Sequence, residues 1–380
     1  MKYRIGPLSI SSSSAQSSQA WRSAIQTFLS HACSGMEATT VEACKMHIVF
    51  HDYAHRPLLE KASVVPANLE YTHHQLHDLR LKVLYDFSYK HKLHIWTTGK
   101  DLSLPFIMQL ALMRIGATLV HAAAISVNNA GILLPAFGGI GKTSLMAALM
   151  QQRQTDIKLL GDDIVILEED GTLWPYPRPF CIYPYHRSLF PSYFKKNRWP
   201  QTTSWKLSYK IAREFLRAAR LEEHLTRYLT DAPFITIPPA NLFGEQALAK
   251  KSVPLTHVIQ MEKVAGLEHA KVQALTPDHA ATFMNNVMFR ELRDTMHLLF
   301  ALATAHKIPL AQKLSQTQTV LTHALATIPL HALTHLQIPE HTTQEAFLKH
   351  VIPYIMHVIT TIKNPAPKQK LPRTPSQQAQ

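Results

Sequence analysis

The chain has 380 residues, 46% hydrophobic and 17% charged, a composition that buries a sizeable core in one or two domains and excludes a disordered or fibrous chain. Three cysteines, Cys33, Cys44 and Cys181, without a C-x-x-C pair exclude a disulfide framework and point to a reducing compartment. The formal net charge of +13 calls for an anionic partner, but it is spread along the chain, and without zinc-finger spacing or an RNP-like aromatic motif nucleic acid is not the expected one.

In chain order, the start MKYRIGPLSISSSS carries no apolar signal-peptide core. Residues 1–103 alternate short β-like runs, such as KMHIVFHDY and KLHIWTT, with polar turns, and read as a small mixed α/β accessory domain. A helix is predicted from Leu104 to Gly116, with Pro105 in its first turn and Gly116 as its stop. The stretch from Leu104 to Val127 is the most apolar in the chain, yet it carries Gln109, Arg114 and His121, so no membrane span is expected and the cytoplasm is the expected location.

A clearer unit follows. ATLVHAAAISV (117–127) is β-rich at both ends, NNAG (128–131) is a hairpin turn, and ILLPA (132–136) is a short buried strand. Residues 143–152 read as a helix. IKLLGDDIVILEEDG (157–171) reads as a strand, a break at Gly161 and a second strand. The whole is an α/β core. In the proline- and aromatic-rich section after it, WPYPRPFCIYPYH is excluded from a central strand, because each proline removes a ladder donor. A basic helix is predicted over 208–229, with Arg213, Arg217 and Arg220 on a solvated face, and PLTHVIQME (254–262) is a strand. The longest predicted helix covers 276–303, capped by Thr276 with Pro277 and Asp278 in its first turn. A further helix, a strand at IPLHALTHL (328–336), a last helix over 342–362 and a disordered polar tail (363–380) complete the chain.

AFGGIGKTS (136–144) comes within one residue of the phosphate-binding pattern G-x-x-x-x-G-K-[ST]. A phosphate chain needs consecutive backbone N–H groups turned inward at the positive end of a helix. Gly138, Gly139 and Gly141 supply the permissive backbone, and Phe137, Ile140 and Ser144 complete the loop. Lys142 would reach the β- and γ-phosphates, and Thr143 would offer Mg²⁺ its hydroxyl. Ala136 replaces the opening glycine, at the strand's exit, where one methyl fits if φ is negative. Asp162 and Asp163 follow on what reads as the next strand, and adjacent strand residues point to opposite faces. The pair therefore reads as a division of labour: one carboxylate at the reacting centre, the other at the metal or in a supporting hydrogen bond. His121, taken alone, reads as a satisfied core histidine.

The order VHAAAISVNNAGILLPAFGGIGKTSLMAALMQ…LLGDDIVIL resembles HPr kinase/phosphorylase and its wider group of related kinases, which share a P-loop core with phosphoenolpyruvate carboxykinase. In that group a histidine-bearing strand, a hairpin, the P-loop, its helix and a strand ending in Asp-Asp follow one another. The following DGTLWPYPRPFCIYP is similar to a Pro-Arg-Pro stretch in the related kinases. The specific match covers residues 119–184, within an expected kinase domain of 104–362. The resemblance implies an ATP-dependent phosphotransferase in which Lys142 and Thr143 hold phosphate and Mg²⁺, and Asp163 takes the proton from a Ser or Thr hydroxyl. Asp162 would assist at the metal, and His121 would sit beside the transferred phosphoryl group. The glycine-rich signature loop of true HPr kinases is not found; PPANLFGEQAL stands near its place and does not match. A protein, a peptide or a small-molecule hydroxyl is therefore the expected acceptor. Arg178, His186 and Arg187 read either as contacts to an acidic acceptor or the leaving phosphate, or as a solvated loop, and nothing places Arg290 or Arg293 at the site. A non-catalytic nucleotide-binding switch remains the alternative reading, and a homo-oligomer stays open.

Overall fold

The computed structural model describes residues 2–12, 44–59, 62–65, 68–98, 104–152, 156–176, 178–196, 235–291, 303, 310–340 and 343–363. Predicted helix 208–229, the far end of helix 276–303, Arg293, the Arg187 side chain and the tail beyond Lys363 lie outside the described residues. The fold is mixed α/β, with sheets of mixed strand direction.

Eight strands build the first sheet: β1 (Lys2–Ile5), β2 (Leu8–Ser12), β3 (Met46–Asp52), β4 (Ser63–Val65), β5 (Leu69–Tyr71), β6 (Gln75–Asp78), β7 (Val83–Asp86) and β8 (Lys92–Thr97). Their spatial order is β1-β2-β3-β8-β7-β6-β5-β4. Strand alternation sends Met46, Ile48 and Phe50 of β3 and Leu93 and Ile95 of β8 into the core. Helix α1 (Leu104–Leu112) covers that apolar face and is buried along its whole length. It tightens into a 3₁₀ turn and stops at Gly116, whose φ of 69° is the left-handed conformation expected of a helix-ending glycine. Gln109, the polar residue in this apolar helix, is a latch: Leu119 N–H donates to its carbonyl at 2.8 Å, and its amide donates to Thr118 Oγ1 at 3.0 Å.

The second sheet begins with β9 (Ala117–Val120), β10 (Ala122–Val127) and β11 (Ala130–Pro135). Asn128 and Asn129 both take positive φ, 49° and 66°, the conformation that a two-residue hairpin between β10 and β11 requires. Helix α2 (Lys142–Gln151), β12 (Ile157–Gly161), β13 (Val165–Glu168), β14 (Thr172–Trp174) and β15 (Phe180–Ile182) follow. Then come α3 (Pro191–Lys196), β16 (Ile235–Ile237), α4 (Pro239–Phe243), β17 (Val253–Val264), β18 (Lys271–Ala274) and α5 (Pro277–Glu291). Helix α6 (Leu310–Ala326), β19 (Leu333–Pro339) and α7 (Gln344–Lys363) close the described chain. The sheet runs β12-β10-β11-β17-β14-β13-β9, with β19 also beside β17 and β18 beyond it.

Both faces of this sheet are covered, which is why HAAAISV and ILLPA read as nearly continuous apolar runs. Ala123, Ile125, Val127, Ile132 and Leu134 pack with α2 and α7, whereas Ala122, Ala124 and Leu133 pack with α5 and α6. Thr276 caps α5 as predicted, accepting from His279 N–H at 3.3 Å. The prolines do exclude the segment after Trp174 from the main ladder: among the described residues Phe180–Ile182 pairs with β16, in a separate two-stranded sheet. IPLHALTHL is a strand only in its second half; Leu330–Ala332 form a 3₁₀ turn after Pro329, and β19 starts at Leu333. Among the described residues no helix is long and apolar enough to cross a membrane.

Candidate functional site

Three strands end at one edge of the second sheet. β10 runs antiparallel to β11 with Ala122 opposite Pro135, so the start of β10 meets the end of β11. β12 is antiparallel to β10 and β17 is parallel to β11, so both run toward the same edge. Ligands of such sheets bind in the crevice beyond the carboxyl ends of the strands. Here that crevice is a cavity of about 350 Å³ lined by residues 138–144, His121, Asp162 and Asp163.

The glycine loop leaves β11 at Ala136 and enters α2 at Lys142. Gly139 and Gly141 have φ of 78° and 118°, a region that side chains rarely tolerate. A Cβ on Gly141 would stand 2.8 Å from the Phe347 ring, so the bare backbone also lets α7 approach. Ala136 is fully buried and packs with Ile140, Leu145 and Met146; it is not among the positive-φ residues, so alanine is compatible with the first position. Phe137 lies edge-on to Phe283 of α5, and the Arg290 guanidinium sits 5.2 Å from its ring centroid. Arg290 thus braces the loop from outside.

The Lys142 side chain is buried, and its ammonium donates to His121 Nε2 at 2.8 Å, Ala136 O at 2.9 Å and Phe137 O at 3.1 Å. Those bonds use all three of its protons. His121 Nε2 must then accept, which puts the ring proton on Nδ1, 3.4 Å from Asp163 Oδ1. Burial, and then the Lys142 charge, push the His121 pKa down to about 4, so the ring is neutral at pH 7.

The two aspartates stand in different environments, and strand alternation is not the reason. They are not adjacent strand residues. β12 pairs with β10 while β13 pairs with β9, and the chain bends at 162–164 to cross between the ladders. That bend, not strand alternation, separates the carboxylates. Asp162 Oδ2 accepts from Thr143 Oγ1 at 2.7 Å, while Oδ1 is buried and, among the described residues, has no hydrogen-bond partner. Burial raises the Asp162 pKa to about 7; the Thr143 bond opposes this and the Asp163 charge adds to it. Asp163 keeps 38% of its side chain exposed and pairs with Arg178. Burial works to raise its pKa, but the charges of His121, Arg178 and Lys142 outweigh it and hold the carboxyl below its usual range.

Arg178 therefore faces Asp163. His186 is buried, its Nδ1 accepts from Tyr183 N–H at 3.2 Å, and burial pushes its pKa to about 4, so it is no cation for an acidic acceptor. Sequence reasoning missed Lys263, Glu291, Gln344 and Phe347, which also line the cavity. They come from β17, α5 and α7, and no local pattern marks them. Among the described residues no three His, Cys, Asp or Glu side chains form a metal cluster. Thr143 Oγ1 with the unpartnered Asp162 oxygen still fits Mg²⁺, which takes one or two carboxylates and completes its shell with phosphate oxygens and water. No protein-family model matches the chain, and no curated protein matches it.

Proposed function

We propose that the chain is an ATP-dependent kinase with an HPr-kinase-like P-loop core, which transfers the γ-phosphoryl group to a Ser or Thr hydroxyl of a protein or peptide, or to a small-molecule hydroxyl. One observation carries this reading. A glycine loop at a helix start, a buried lysine, a hydroxyl–carboxylate pair with an orphaned oxygen, and a second, half-buried carboxylate share one cavity. Phosphoryl transfer asks a protein for that set: positioning, charge neutralisation and an oriented nucleophile.

In this reading the backbone N–H groups of 138–143 hold the phosphates, and Lys142 leaves the loop carbonyls for the β- and γ-oxygens. The acceptor oxygen forms the new bond to phosphorus, the bond to the β-bridging oxygen breaks, and Asp163 takes the hydroxyl proton. The products are a phosphate ester and ADP. The depressed pKa of Asp163 makes it a weak base, which suffices because the transition state is loose and the hydroxyl needs orienting more than early deprotonation. His121, neutral and next to both Lys142 and Asp163, holds the carboxylate's orientation through Nδ1–H. Mg²⁺, held by Thr143 and Asp162, would neutralise charge on the phosphates.

Purified protein incubated with Mg²⁺, γ-labelled ATP and cell extract should pass label to a hydroxyl-bearing species. A protein that binds no nucleotide by calorimetry would end this reading. The Asp163–Arg178 pair favours a second one, a non-catalytic nucleotide switch, because it already engages the base. Nucleotide binding with no ATP consumption, unchanged in Asp163→Asn, would select it.

A further inference from the structure

We infer that Lys263 binds the α-phosphate of the phosphoryl donor, which makes the donor a nucleoside polyphosphate rather than pyrophosphate or another bare phosphate chain. The inference rests on the donor site proposed above and adds to it the residue that would select a nucleoside polyphosphate over a bare phosphate chain.

Strand order carries the argument. Across the sheet edge the sequence is β12, β10, β11, β17. The glycine loop rises from β11. Asp162, Asp163 and His121 belong to the β12 and β10 flank, and Lys263 belongs to β17, on the other flank. Neighbouring strands are about 4.8 Å apart, so β12 and β17 are separated by roughly 14 Å at the sheet. A phosphate chain with its terminal phosphoryl group at Asp163 therefore directs its opposite end toward Lys263. Register sets the height. Val258 pairs with Leu133, so Lys263, five residues on, stands two residues beyond the level of Ala136, at the height of the raised loop. Alternation sets the face: Ile259 and Met261 pack under α2 and α7, and Lys263 continues their file into the cavity wall.

Lys263 also differs from the other cavity cations in being uncommitted. Lys142 is held by His121 and two carbonyls, and Arg178 by Asp163. Among the described residues Lys263 has no hydrogen-bond or ion-pair partner, although it is half-buried. A half-buried ammonium that lacks a partner gains from an anion there.

Calorimetry on wild type, Lys263→Gln, Lys263→Arg and Lys142→Ala tests this, with MgATP, MgADP and magnesium pyrophosphate as probes. Lys263→Gln should weaken ATP and ADP by about tenfold or more, the loss of one charge-assisted contact. Pyrophosphate, which does not extend to Lys263, should weaken by less than about threefold through the distant charge alone. Lys263→Arg should recover most of the ATP affinity. Equal ATP binding by wild type and Lys263→Gln, or equal losses for ATP and pyrophosphate, would overturn the inference while leaving the donor site intact. If Lys142→Ala binds all three probes as well as wild type does, the donor site itself is wrong and the inference falls with it. Thermal melts check that the variants are folded; an unpaired side chain gives no reason for them to differ.

Discussion

Asp162→Asn tests the electrostatics of the site without needing an acceptor. The wild-type carboxyl is buried, one oxygen has no partner, and its pKa is raised from 3.8 to about 7. The sign follows from proton counting. Between those two values the folded protein keeps a proton that the unfolded chain has lost, so this group's contribution falls as pH rises and is lost through pH 7. Three units correspond to about 4 kcal/mol at 1.36 kcal/mol each. Most of the change, roughly 3 kcal/mol, falls between pH 5 and 8, and relaxation of the site with entering water reduces it to about 2 kcal/mol. Asparagine keeps the acceptor for Thr143 and cannot ionise, so its curve lacks this slope. Titrating groups remote from Asp162 cancel in the difference between the two proteins. For 380 residues the unfolding entropy is roughly 0.8 kcal/mol per kelvin, so the variant should gain about 2–3 °C in Tm relative to wild type between pH 5 and 8. Differential scanning calorimetry at four pH values measures it. Tm curves that stay parallel within about 0.5 °C would refute the buried, protonated carboxyl. The same proton predicts that wild type binds Mg-nucleotide more tightly as pH rises through 7, and that Asp162→Asn has a flat profile with a higher Mg²⁺ requirement.

Three further outcomes follow from named contacts. Lys142→Ala should abolish or greatly weaken Mg-ATP binding, a loss of roughly 2–5 kcal/mol for a desolvated charge contact, and NMR should show the His121 pKa rising once the neighbouring ammonium is gone; calorimetric binding equal to wild type would remove the loop as a phosphate site. Ala136→Gly should leave ATP affinity within about tenfold, because the methyl packs in the core with Ile140 and Leu145, and should cost about 1 kcal/mol in urea unfolding for the lost methyl and the added backbone freedom; a larger gain in affinity would mean that the natural loop is strained. Asp163→Asn should still bind ATP while transfer falls by roughly two to four orders of magnitude, and turnover near wild type in a labelled-ATP assay would exclude it as the base.

Local order alone determined much of this protein. The Asn128–Asn129 hairpin, the Gly116 stop, the Thr276 cap and the glycine loop are each written in a few adjacent residues, because each depends on φ, on a capping oxygen or on a run of backbone donors. The apolar runs of β10 and β11 announce a sheet covered on both faces. Asp162, Asp163, Lys142 and Thr143 could be nominated from the motif and its spacing, and His121 only through the family resemblance. Only the tertiary structure decided what each of them meets. The separation of the aspartates comes from the crossing between two ladders, which depends on pairing partners far along the chain. The Arg178–Asp163 pair, the neutral state of His186 and the second half of IPLHALTHL as the true strand are likewise outcomes of packing. Lys263, Glu291 and Phe347 reach the cavity from 120 or more residues beyond the loop. Burial and charge act through space, so a site assembled from the ends of β10, β11, β12 and β17 acquires its pKa values and its free cation only when the sheet brings those ends together.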